Sequence, residues 1–185
     1  LDTEEMKRVA ARSGVTIVEY ALGQRSSRVW VITPSQIRFA ELPPERTIAG
    51  DIRQLRDRIG THPKGTSEAP FRESARKLYR ALMDPIAPYL NQSGRLLIVP
   101  DGMLHYLPFE VLLAPDGRFL VERAAITYAP SVSVFARLAQ GNFGRAAGEL
   151  FALGNPAFSS AAVSPKGRLV RSVYRSAGLN LQPLP

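Results

Sequence analysis

The pattern of apolar and polar positions changes period several times along the chain, and each change predicts an element. Residues 2–12 read as a short helix with Met6, Val9 and Ala10 on one side. Residues 15–22 and 28–32 are β-rich runs joined by Gly23-Gln24-Arg25-Ser26-Ser27, a junction with the length and polarity of a hairpin loop. After Thr33-Pro34-Ser35, Ile37 and Phe39 alternate against Gln36 and Arg38, which predicts a strand over 36–42 with one wet face, near a sheet edge. Three short runs with tight links make an antiparallel meander. Trp30, inside the second run, is expected in the core.

The period then becomes helical. Ile48, Ile52, Leu55 and Ile59 form one apolar stripe with charged residues opposite. Residues 60–70 are polar, with two glycines and two prolines, and read as a mobile loop. A second helix carries Phe71, Ala75, Leu78, Tyr79 and Leu82, and Pro85 ends it or opens a short continuation through Ile86 and Leu90. Leu96 to Val99 is apolar at every position, as a central strand buried on both faces requires. Pro100-Asp101-Gly102 closes that strand with turn chemistry, and Ala114-Pro115-Asp116-Gly117 is a second turn. Residues 125–128 predict a further strand. Ser131 stands where an N-cap belongs, before Val134, Phe135 and Leu138 at helical spacing. Residues 141–148 hold three glycines and form a linker, and Leu150 to Leu153 is again a short buried strand, closed by Gly154-Asn155-Pro156.

Composition narrows the chemistry. An apolar fraction of 45% with 22% charged residues belongs to a globular chain of 185 residues. No apolar run reaches the roughly 18–20 residues of a membrane-spanning helix, and no signal peptide is visible, so a cytoplasmic location without membrane contact is expected. There is no cysteine, and the only histidines are His62 and His105. Disulfides and thiolate metal sites are thereby excluded, and neither a metal nor a cofactor is expected. The net charge of +8 invites a nucleic-acid reading, but most basic residues alternate with acids. Only the tail is one-signed, with no acid after Glu149 and with Lys166, Arg168, Arg171 and Arg175. A solvated or partner-facing loop is favoured there over a nucleic-acid site.

Candidate functional residues are few. Asp101 lies at the C-terminal end of the presumed central strand, where open α/β sheets place their sites, although the turn reading is the stronger one. Asn155 follows a buried strand and could line a substrate cleft, yet Gly-Asn-Pro is first of all a turn. Both are weak candidates for substrate binding. His105 is set among Met103, Leu104, Leu107 and Pro108 and reads as a packed or surface residue. No Gly-x-Ser-x-Gly elbow, phosphate loop or carboxylate pair is present.

Six pieces then stand in a telling order: VTIVEYALG at 15–23, SRVWVIT at 27–33, LYRALMDPI at 78–86, LLIVPDGMLHYLPFEVL at 96–112, FLVERAAITYAPSVSVFARL at 119–138 and LFALGNPAF at 150–158. None is specific alone. In combination, over about residues 15–185, they resemble the N-terminal portion of the CHAT domain family, bacterial relatives of the caspase and separase peptidases. The resemblance implies a caspase/separase-like mixed α/β sheet flanked by helices. It implies a pseudo-peptidase half over residues 1–145 and, at 146–185, the start of the caspase-like catalytic half, truncated before the dyad. The catalytic histidine and cysteine of such enzymes would lie beyond Pro185, because neither of their motifs occurs here. By the same resemblance the partners are the downstream catalytic portion, in the same or a separate chain, upstream tetratricopeptide repeats and a protein substrate. The expected role is that of a non-catalytic scaffold within a cysteine endopeptidase. The alternative is a non-enzymatic module that binds a protein partner or RNA through its arginines.

Overall fold

The computed structural model describes residues 1–60, 67–90 and 94–140. The chain opens with helix α1, Thr3–Ser13. Its first turn is closed by a reciprocal cap in which the Asp2 carboxylate accepts from the Glu5 N–H at 2.7 Å and the Glu5 carboxylate accepts from the Asp2 N–H at 3.2 Å. Gly14, at φ +62°, ends it in the left-handed conformation. Strands β1 (Thr16–Ala21), β2 (Ser27–Ile32) and β3 (Ile37–Leu42) follow as the expected antiparallel meander. The first hairpin is held by the Gly23 N–H donating to Ser27 Oγ at 3.2 Å. A Cβ on Gly23 would overlap the Ser26 carbonyl oxygen, so this turn requires glycine.

Helices α2 (Glu45–Gly60) and α3 (Ala69–Leu82) come next, then a 3₁₀ continuation over Asp84–Tyr89. Pro70, read from the sequence as loop, lies in the first turn of α3, where a missing N–H costs nothing. Strand β4 (Arg95–Val99) enters the sheet beside β1 and parallel to it. Strand β5 (Ala125–Tyr128) pairs in parallel with β4, and α4 (Val132–Gln140) closes the described chain. Ser131 does cap α4, its Oγ accepting from the Val134 N–H at 3.1 Å.

The sheet is five-stranded and mixed, in the order β3-β2-β1-β4-β5. Its two faces are sorted by the alternation of side chains along each strand. Val18, Tyr20, Val29, Val31, Leu96 and Ile98 face α2, α3 and residues 104–120, and form the larger core. Ile17, Ile32, Leu97 and Val99 face α1 and α4, and form the smaller one with Val9, Ala10, Val132 and Ala136. Burial on both faces explains why β4 carries no polar residue after Arg95: Leu97 and Ile98 have no exposure at all. Each such side chain contributes about 1.5–3 kcal/mol of transfer free energy, so this strand anchors both layers.

Several apolar positions depart from expectation, Phe39 among them, 62% exposed on the face of β3 expected to be dry. Trp30 is half-buried, because it stands on the α1/α4 face of the sheet but away from where those helices pack. Ile59 is 45% exposed at the end of α2, beyond the reach of the sheet. In α4 the buried pair is Val132 and Ala136, while Val134 and Leu138 are exposed, so the helix is rotated from the orientation its bulkiest residues suggest. Small Ala136 allows the close approach that Leu138 would prevent. The linker at 141–148, the strand at 150–153, Asn155, His62 and the basic tail lie outside the described residues.

Candidate functional site

β1, β4 and β5 run parallel, so their C-terminal ends share one edge of the sheet, and the connections out of β1 and β4 diverge there. Such a divergence is where open α/β sheets form a crevice. Asp101 sits on it. Its Oδ2 accepts from the Leu22 N–H at 2.8 Å, a donor just past the last residue of β1. One carboxylate oxygen thus ties the ends of two neighbouring strands together. Gly102, at φ +50°, makes the next bend, and a Cβ there would press on Leu22 Cδ1 at 3.3 Å and meet Glu45 Oε1 at 3.6 Å. The Asp-Gly pair is therefore demanded by geometry: aspartate for the strand clamp, glycine for the positive φ beneath a packed leucine.

Residues 102–111 follow as two 3₁₀ turns, Gly102–Tyr106 and Phe109–Val111, laid across the α2/α3 face. Leu104, Leu107 and Phe109 point inward and are buried. The Phe109 ring is wholly enclosed between Tyr20 at 5.5 Å and Tyr128 at 6.2 Å, centroid to centroid. His105 and Tyr106 point outward; Tyr106 is 59% exposed, with the Arg56 guanidinium over its ring at 5.1 Å. The Tyr128 hydroxyl donates to Glu110 Oε2 at 2.8 Å and accepts from the Phe109 N–H at 3.1 Å, which fastens this segment to β5. Partial burial and the facing Glu110 carboxylate push the Tyr128 phenol well above the ordinary tyrosine value, so it remains a donor at every physiological pH.

Among the described residues this edge has structural polar groups but no attacking group. The chain contains no cysteine to form a thiolate. His105 is exposed, and no hydrogen bond joins it to a hydroxyl. Ser131, the serine nearest the ends of these strands in sequence, is a helix cap. Among the described residues, no three His, Asp or Glu side chains converge as a metal site would need. A second polar network lies near the opposite end of β4, where Asp116 Oδ2 accepts from Arg118 Nε at 3.0 Å and pairs with Arg123 at 3.6 Å, and Arg123 donates to Tyr79 Oη at 3.1 Å. The two bonds from Arg118 hold the Asp116 carboxyl below its usual value. These exposed pairs order the turn at 114–118 and leave no free base.

The CHAT domain family model matches residues 72–185. The chain belongs to the CHAT domain family. No curated protein matches it. The matched stretch starts inside α3, so β1, β2 and β3 precede it, yet β1 pairs along its length with β4. The CHAT region described here is therefore inseparable from the meander upstream of the match. Among the described residues no helix is long and apolar enough to cross a membrane.

The sequence located Asp101 and the turn, and the structure shows a strand clamp there. It did not indicate the Tyr128–Glu110–Phe109 fastening, because residues eighteen apart with no shared period give no local signal. The only available sign was Tyr128 itself, a phenol ending an otherwise short apolar strand.

Proposed function

We propose that this chain is the non-catalytic N-terminal portion of a bacterial, cytoplasmic, caspase-like cysteine endopeptidase, and that peptide-bond hydrolysis needs a histidine and a cysteine from outside this sequence. The observation that carries the reading is the conjunction of CHAT family membership with a sequence that has no cysteine. A cysteine peptidase requires a thiolate, a histidine to make or stabilise it, and donors for the oxyanion. In this reading residues 1–145 are a pseudo-peptidase half and a catalytic half begins at about residue 146. Asp101 supports the crevice rim through its bond to Leu22, and Asn155 is a candidate for substrate binding. Tetratricopeptide repeats precede the region and a protein is its substrate.

The test is a comparison of cleavage of a peptide library by this chain and by the protein of the full reading frame that contains it. Thiol-dependent turnover by the second and none by the first supports the reading. A full reading frame with no His-Gly and Ala-Cys type motifs after residue 185, and no turnover, would replace it with the non-enzymatic interaction module.

A further inference from the structure

The uncovered part of the α1/α4 face of the sheet carries one continuous row across four strands. Val99, Glu19, Trp30 and Phe39 are successive cross-strand partners, so their side chains stand side by side on the same face. Val99 belongs to the smaller core, Glu19 and Trp30 are half-buried, and Phe39 is 62% exposed. A groove of about 460 Å³ opens above this row, lined by Thr3 and Met6 of α1 and by Glu19, Trp30, Ile32 and Ile37 of the sheet. Glu19 is the one carboxylate in that lining.

Among the described residues its carboxylate has no hydrogen bond and no ion pair. Arg28, a diagonal neighbour toward the hairpin end of β2, is exposed and makes no pair with it. Burial lifts the Glu19 pKa above the ordinary glutamate value, with no partner to oppose the shift. A half-desolvated acid held between valine and tryptophan is electrostatically incomplete in a chain whose net charge is +8. An indole wall and a carboxylate in one groove, with an exposed phenyl ring beside them in the same row, are complementary to a flat cation on an aliphatic stem.

We propose that this groove is a docking surface for a polypeptide segment of a partner protein, which inserts one basic side chain between Trp30 and Glu19 and lays apolar neighbours over Ile37 and Phe39. Arginine fits before lysine, because a guanidinium stacks on the indole face while giving two parallel N–H bonds to one carboxylate. The surface differs from the Asp101 edge in chemistry: it recognises charge and carries no step of hydrolysis.

Trp30 is the only tryptophan of the chain, so its emission reports on the groove alone. The full chain is titrated with an acetylated, amidated Leu-Arg-Leu peptide, with its isosteric citrulline analogue, and with arginine amide. The expected result is a saturable change in Trp30 emission for the arginine peptide, weakened at least about tenfold for the citrulline peptide and again in Glu19→Gln. Phe39→Ala lowers affinity for the peptide and leaves arginine amide unchanged. Equal response to arginine and citrulline peptides overturns the proposal, as does absence of saturation below about 1 mM. Binding of arginine amide as tight as that of the peptide also overturns it, since the site would then serve a small molecule. The citrulline arm needs no altered protein, so a folding defect in Glu19→Gln, checked by circular dichroism, leaves the test intact.

Discussion

Phe109→Ala tests whether the 3₁₀ segment after Asp101 is part of the core or an ornament on it. The ring is fully enclosed, packs at tilted angles against Tyr20 and Tyr128, and belongs to the larger core. Truncation of a buried phenylalanine costs about 3–5 kcal/mol, the lost transfer energy plus the cavity it leaves. The backbone bond from the Phe109 N–H to Tyr128 survives the substitution, so the loss measures packing alone. Against a total of about 5–15 kcal/mol for a domain of ordinary stability, that is a large fraction. Urea unfolding followed by far-ultraviolet circular dichroism and by Trp30 emission should show one coincident transition. With a slope near about 2 kcal/mol/M, its midpoint falls by about 2 M at unchanged slope. Phe109→Leu, which keeps most of the apolar contact, should lose less than half as much. A loss below about 1 kcal/mol for Phe109→Ala would show that residues 102–111 are not packed as described.

Asp101→Ala removes the acceptor of the Leu22 N–H and should cost about 1–3 kcal/mol in the same assay, with Asp101→Asn recovering most of it. Tyr128→Phe leaves the Phe109 N–H without its acceptor and should increase amide exchange at Phe109 while the exchange of β1 stays as it was. Glu19→Gln should raise the melting temperature at neutral pH. The folded-state pKa of Glu19 lies above its unfolded value near 4.5, so the folded chain holds the proton more tightly. Its contribution to stability therefore declines as pH rises from the unfolded value through the folded one, and stays unfavourable above it. The advantage of the glutamine variant should shrink on acidification and vanish below pH 4.5, where the acid is neutral in both states.

The fold was legible where one physical demand dominated a stretch of sequence. Leu96 to Val99 could only be a strand buried on both sides. The alternation of Ile37 and Phe39 with Arg38 located the edge strand but not its covered face: Phe39 is 62% exposed, while Ala40 and Leu42, on the side of Arg38, pack against the larger core. Ser131 was legible because a cap is a local bond within three residues. The Gly102–Tyr106 and Phe109–Val111 turns were not, because short 3₁₀ segments have no period to display. Trp30, Ile59 and the stripe of α4 were misplaced for a shared reason: size and hydrophobicity say that a side chain can be buried, but the reach of the facing helix decides whether it is. Glu19 carried no signal within VTIVEYALG. Its isolation arises from Val99 and Trp30, which lie on two other strands.

The central claim is that this CHAT region is a scaffold without its own chemistry. The most direct measurement is the rate of peptide-bond cleavage by the purified 185-residue chain under reducing conditions, across a peptide panel. The account predicts no turnover above the uncatalysed rate, with or without thiol reagent, since no residue of the chain can form a thiolate. Cleavage that copurifies with the chain and survives serine-peptidase and metallopeptidase inhibitors would contradict it.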